Sequence, residues 1–181
     1  MRELSLNVLD IAQNSIAAGA SLTEILVKED TVKKELLIGI YDNGKGMTEE
    51  QVNNVQDPFY TTRTTRKVGM GIPLFKMAAE QTGGSFKITS QVGAGTRVEA
   101  VFKTDSIDFT PLGDMEATIS TIVSMNEDKD FIYIRSVDGR EFKFSSAEIK
   151  KILDGVPLSE PSVVVWMEGY IRENTEDLFK N

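Results

Sequence analysis

Asp10 and Asn14 stand one helical turn apart in a segment, residues 4–18, whose apolar spacing predicts a helix. Both side chains then point the same way. A carboxylate beside a carboxamide can orient water and fill part of the coordination sphere of Mg²⁺, which takes hard oxygen ligands and keeps several waters. A second constellation is Asp42-x-Gly44-x-Gly46. Its carboxylate can accept hydrogen bonds from an amino group such as the exocyclic amine of adenine, and its glycines let backbone approach a flat ring. A third is the polar stretch 56–70, where Arg63, Arg66 and Lys67 concentrate positive charge ahead of Gly69-Met70-Gly71. Hydroxyls, guanidinium groups and free N–H groups at a helix start are what phosphates bind. The fourth is Gly93-x-Gly95-Thr96. Each has a plainer reading alone: a solvated helix face, a tight turn, a surface loop, a hairpin.

Composition removes much competing chemistry. The 181 residues contain no cysteine and no histidine. Thiolate metal sites, disulfides, Ser-His and Cys-His nucleophiles and an internal phosphoacceptor histidine are therefore excluded. A net charge of −8 argues against bulk nucleic-acid binding, which needs a basic face. The longest apolar run, Val163–Met167, is far shorter than a membrane span. Glu3, Asn7 and Asp10 interrupt any signal-peptide core, so a soluble, cytoplasmic protein is expected.

The elements that must position these residues follow from pattern. Within the first helix, Leu9, Ala12 and Ile16 share one stripe, and Gly19 stops it. Residues 23–29 and 36–41 read as strands. Thr48-x-x-Gln51 is a capping box opening a short helix to about Val55. A mobile loop over 56–70 leads to a helix with Pro73 near its first turn and Gly83-Gly84 at its end. Strands are predicted over 85–92 and 96–102. Pro111 and Gly113 mark a linker at 105–113. Beyond it come a helix over 115–125, a hairpin around Asp138-Gly139, a helix capped by Ser145, and an amphipathic helix over 162–179. Phe131, Tyr133 and Phe142 read as core, with Trp166, Tyr170 and Ile171 packing on the hairpin. Two units are expected: residues 1–104, and a small helix–hairpin–helix–helix unit over 105–181.

The order of the four constellations is more specific than any member. LDIAQNSIAAGA, DNGKGM, DPFYTTR and VGMGIPLFKMAAEQTGGSFKITSQVGAGTRVEAVF resemble the N box, first glycine box, F box and second glycine box of the GHKL ATP-binding domain. The F box is similar to that of the histidine kinase and anti-sigma factor kinase branch, and the resemblance covers residues 4–103. It implies an α+β fold, the two-layer Bergerat sandwich, with a mixed sheet, helices on one face and a small C-terminal α+β appendage. It implies ATP and Mg²⁺ as cofactors, with Asp10 as catalytic base and Asn14 on the metal. The nucleotide contacts it implies are Asn14, Asp42, Gly44, Gly46, Met47, Phe59, Thr62, Arg63, Lys67, Gly69, Met70, Gly71 and Thr96. Hydrolysing members carry a glutamate at the position of Asp10, and residues 56–71, which the resemblance implies form a lid over the nucleotide, hold the extra Thr64-Thr65-Arg66. The activity implied is that of a kinase-type signalling module whose phosphoacceptor lies on a partner protein. A nucleotide sensor without chemistry and an ATPase switch are the alternatives. Stand-alone proteins of this branch often form homodimers.

Overall fold

The computed structural model describes residues 3–60 and 70–180. The chain orders its elements as α1 (Leu4–Ala17), β1 (Leu22–Asp30), β2 (Glu35–Asp42), α2 (Glu49–Val55), α3 (Gly71–Gln81), β3 (Ser85–Gln91), β4 (Gly95–Lys103), α4 (Met115–Met125), β5 (Asp130–Val137), β6 (Arg140–Ser145), α5 (Ser146–Leu153) and α6 (Pro161–Asp177). The six strands form one mixed sheet in the order β3-β4-β2-β1-β5-β6, with β1 and β5 parallel and the other neighbours antiparallel.

Alternation along each strand sends one apolar row to the helices. Ile88, Val98, Ile40, Ile25, Tyr133 and Phe144 face one another across all six strands. All but the half-buried Ile88 are almost wholly buried. At about 1.5–3 kcal/mol per fully buried large apolar side chain, this face drives the layer together. The row at the end of the sheet has the same orientation and different chemistry: Ser90, Thr96, Asp42, Thr23 and Phe131. Period two therefore aims Asp42 at the helices, in line with Ile38 and Ile40.

Helix α1 crosses this face. Its buried stripe is Leu4, Val8, Ile11, Ala12 and Ser15, while Leu9 and Ile16 are only half-buried. The stripe expected from Leu9, Ala12 and Ile16 is thus rotated, because α3 and α4 pack on either side of α1 and widen its covered arc. Among the described residues no side chain caps its start. Instead the N–H groups of Leu4 and Ser5 donate to the carbonyls of Pro111 and Leu112, at 2.9 and 2.8 Å. Helix α2 shows both bonds of the capping box between Thr48 and Gln51.

Residues 115–177 form the helix, hairpin and two helices that the sequence predicts. They extend the same sheet: β5 pairs with β1 from Leu22–Asp130 to Glu29–Val137. α4 packs on α1, and α6 packs on α4. The hydrophobic core runs without interruption from Leu4 to Leu178. Arg135, almost fully buried, pairs with Glu29 at 2.7 Å, and the Asp138 carboxylate accepts from Thr31. Phe131, Tyr133 and Phe142 are core. Tyr170 meets Phe142 edge-on, and Ile171 is buried. Trp166 stacks on Tyr170 and stays 45% exposed.

Candidate nucleotide site

The Asp42 side chain reaches the space between the sheet end and α1, where two donors hold it. Ser15 Oγ donates to Oδ2 at 2.7 Å, and the Gly44 N–H donates to Oδ1 at 2.8 Å. Each oxygen keeps a further lone pair. Gly44 is buried, and a Cβ there would lie 2.9 Å from the Ala18 carbonyl and 3.0 Å from Asp42 Oδ1. Gly46 has a φ of +68°, and a Cβ would meet the Gln91 carbonyl oxygen at 2.0 Å. These glycines are required by the close passage of the loop over α1 and the end of β3.

Thr96 faces Asp42 across the β2–β4 ladder. Its Oγ1 lies 2.8 Å from Ser90 Oγ, which donates to the Gly95 carbonyl at 2.8 Å and accepts from the Met47 N–H at 2.8 Å. Ser90 has one hydroxyl proton, already committed to Gly95. With that proton on Gly95, Thr96 donates to Ser90 and keeps acceptor capacity of its own. Asp42 and Thr96 make the sheet end an acceptor edge.

That edge closes a cavity of about 310 Å³. Its walls are mostly apolar: Ile11 and Ala17 from α1 with Ala18 just past its end, Ile40 and Val98 from the sheet, and Met47, Val55, Ile72 and Tyr60. Asn14, Ser15, Lys45, Asp42 and Thr96 supply its polar groups. An apolar slot with a few fixed polar groups suits a flat, amine-bearing ring.

Asn14 lines the cavity, and among the described residues its carboxamide has no hydrogen-bond partner. Asp10 lies one turn away, outside the lining. It packs against the start of α3, where a Cβ on Gly71 would come within 3.0 Å of Asp10 Cβ. Burial raises the Asp10 pKa above its ordinary value. Among the described residues no side chain caps the first turn of α3, which begins beside Asp10. Among the described residues no group of three or more carboxylates could hold a metal. A cation here would need Asn14 together with oxygens of a bound ligand.

The structure thus gathers Asn14, Asp42, Gly46, Met47 and Thr96 on one cavity, with Gly44 buttressing Asp42 and Asp10 and Gly71 beside it. It does not gather Phe59, which is 89% exposed, nor Met70, which is 42% exposed and outside the lining. The Asp57 carboxylate accepts the Phe59 N–H in a local turn, and Tyr60, the next residue, lines the cavity. Thr62, Arg63, Lys67 and Gly69 lie outside the described residues. Ser15, Ser90, Tyr60 and Lys45 are additions to the residues singled out from sequence. Ser15 left a signal: a polar residue on the buried stripe of α1 requires a partner.

Comparison with known proteins bears on the fold and the family. Sensor protein SrrB of Staphylococcus aureus is 35% identical over 101 residues, 53% of this chain and 17% of that protein. Sporulation kinase D of Bacillus subtilis is 28% identical over 91 residues, 50% of this chain and 18% of that protein. The matched stretch is therefore under a fifth of each relative. The Aquifex aeolicus MutL ATPase domain, solved in complex with ADP, shares the fold with a TM-score of 0.50 and 17% identity, over 85% of this chain and 70% of that one. The sequence model of the histidine kinase-, DNA gyrase B-, and HSP90-like ATPases matches residues 1–106, more than half of the chain, and to that family this protein belongs.

Proposed function

We propose that this chain binds Mg-ATP in the cavity and works as a kinase-type signalling module on a separate protein. The observation that carries the reading is the acceptor edge of Asp42 and Thr96 at the end of an apolar slot. Acceptors at this end suit the exocyclic amine of a purine and disfavour a carbonyl at the same position. The cavity's size suits base and ribose. The phosphates then extend past Asn14 toward the open N-terminus of α3, whose N–H groups and dipole favour anions. Asn14 would hold Mg²⁺, with the remaining positions filled by phosphate oxygens and water. When bound, the ion neutralises phosphate charge. The 181 residues contain no histidine, so an acceptor histidine lies outside them.

Two features favour a second reading, a sensor whose nucleotide state alone is read by a partner. Asp10 is one methylene shorter than the glutamate expected in hydrolysing relatives, and it stands outside the cavity lining. A single-turnover experiment separates the two. Protein in excess is mixed with γ-labelled ATP and Mg²⁺, beside an Asp10→Ala control. Phosphate release that vanishes in the control assigns Asp10 to hydrolysis. Bound and intact ATP leaves the kinase awaiting its acceptor or the sensor, and absence of ATP binding refutes both.

A further inference from the structure

The two layers of the fold end together on one side. β6 closes the sheet, and α6, packed outside α4, closes the helix layer. Both belong to the segment beyond the residues that match the family. Among the described residues no other strand or loop backbone bonds to the outer edge of β6. Every second residue of β6 therefore directs its N–H and C=O away from β5. Such an edge is a template for another strand.

The side chains on this edge are self-complementary. Glu141 and Lys143 are exposed, carry opposite charge and flank Phe142 on the face away from the core. Neither has an ion-pair partner among the described residues. In an antiparallel pairing of β6 with a second β6 about Phe142, each Glu141 falls opposite the other copy's Lys143. On the other face an aromatic series runs from Phe142 through Tyr170 to Trp166, with ring centroids 5.6 and 5.1 Å apart. Trp166 is 45% exposed, and the neighbouring Val165 is 71% exposed. A large aromatic pair left open on the outermost helix, beside an unpaired strand, fits an interface.

We propose that this end of the sandwich is a self-association surface: two copies pair antiparallel along β6, with Glu141 opposite Lys143 and the α6 helices meeting through Trp166. The reading does not depend on what the cavity binds. Sedimentation velocity on the full chain, over a concentration series, tests it. Lys143→Glu places like charges opposite each other at both ends of the two-fold pairing and should raise the dimer dissociation constant by about tenfold or more. The double exchange Glu141→Lys with Lys143→Glu restores the opposite signs and should recover dimerisation. Trp166 is the chain's one tryptophan, so its emission should shift to shorter wavelength and its quenching by iodide should fall as dimers form. All three positions are exposed or half-exposed, and circular dichroism verifies that the variants fold. A monomer at every concentration overturns the proposal and makes the edge charges a guard against pairing. A dimer indifferent to Lys143→Glu also overturns it, by locating the interface elsewhere. Loss in the single variant without recovery in the double exchange overturns the β6 register.

Discussion

Asp42 can offer a defined acceptor because Ser15 and Gly44 orient it, so its contribution to binding is shared. Asp42→Asn should weaken adenine-nucleotide affinity by about 1–3 kcal/mol, the usual cost of losing a hydrogen bond to a charged group. Calorimetric titration checks this, and unchanged affinity would remove Asp42 from the binding edge. Ser15→Ala leaves the carboxylate in place and removes one of its supports, so a loss of about 1 kcal/mol is expected from the same titration. Asn14→Ala should cost more affinity with Mg²⁺ present than with it chelated. Equal losses would deny Asn14 a metal role. Asp10 adds a pH signature. A general base must be unprotonated, and burial raises its pKa. Any Asp10-dependent turnover should therefore decline on acidification starting above the range of an ordinary aspartate, a shift read from single-turnover rates across pH. Legibility at this scale was uneven. Asp42, Asn14 and Thr96 stood in motifs, whereas Ser90 is an ordinary strand serine until Thr96, Gly95 and Met47 surround it.

At the scale of elements, the glycine loops illustrate two different constraints. Gly46 and Gly93 both have positive φ, at +68° and +82°. A Cβ on Gly93 meets nothing within 4 Å, while one on Gly46 meets backbone. Gly93→Ala should cost about 1–2 kcal/mol, the left-handed penalty alone. Gly46→Ala adds overpacking and should cost about 3 kcal/mol or more. Urea unfolding of both variants measures the difference, and equal midpoints would mean that the turn relaxes. Helix and strand positions were readable because caps, breakers and period-two alternation are local. The covered arc of α1 was not, since it depends on which helices flank it. The exposure of Phe59 has a similar reason. Its motif specified the residues, but the turn at Asp57 placed the neighbouring Tyr60 at the cavity.

For the whole molecule, the C-terminal strands bear on the site through β1 and α1. β5 covers β1 along its length, and the linker carbonyls of Pro111 and Leu112 hold the first turn of the helix that carries Asp10, Asn14 and Ser15. The chain should therefore unfold as one cooperative unit. Trp166 emission reports the α6 end, and far-ultraviolet circular dichroism reports the whole. Coincident urea transitions are expected, and an earlier Trp166 transition would show that residues 105–181 unfold separately. Among the described residues no helix is long and apolar enough to cross a membrane.

Order along the chain was enough to determine the family, the element sequence and most of the cavity's polar residues. Those depend on spacing, and spacing is written in the sequence. Tertiary structure alone decided that β5 would lie parallel to β1, that Ser15 would hold Asp42, and that β6 with α6 would be left as the open end. Each of these joins residues far apart in sequence, and no local propensity selects among such partners. Packing of one continuous apolar face selects them.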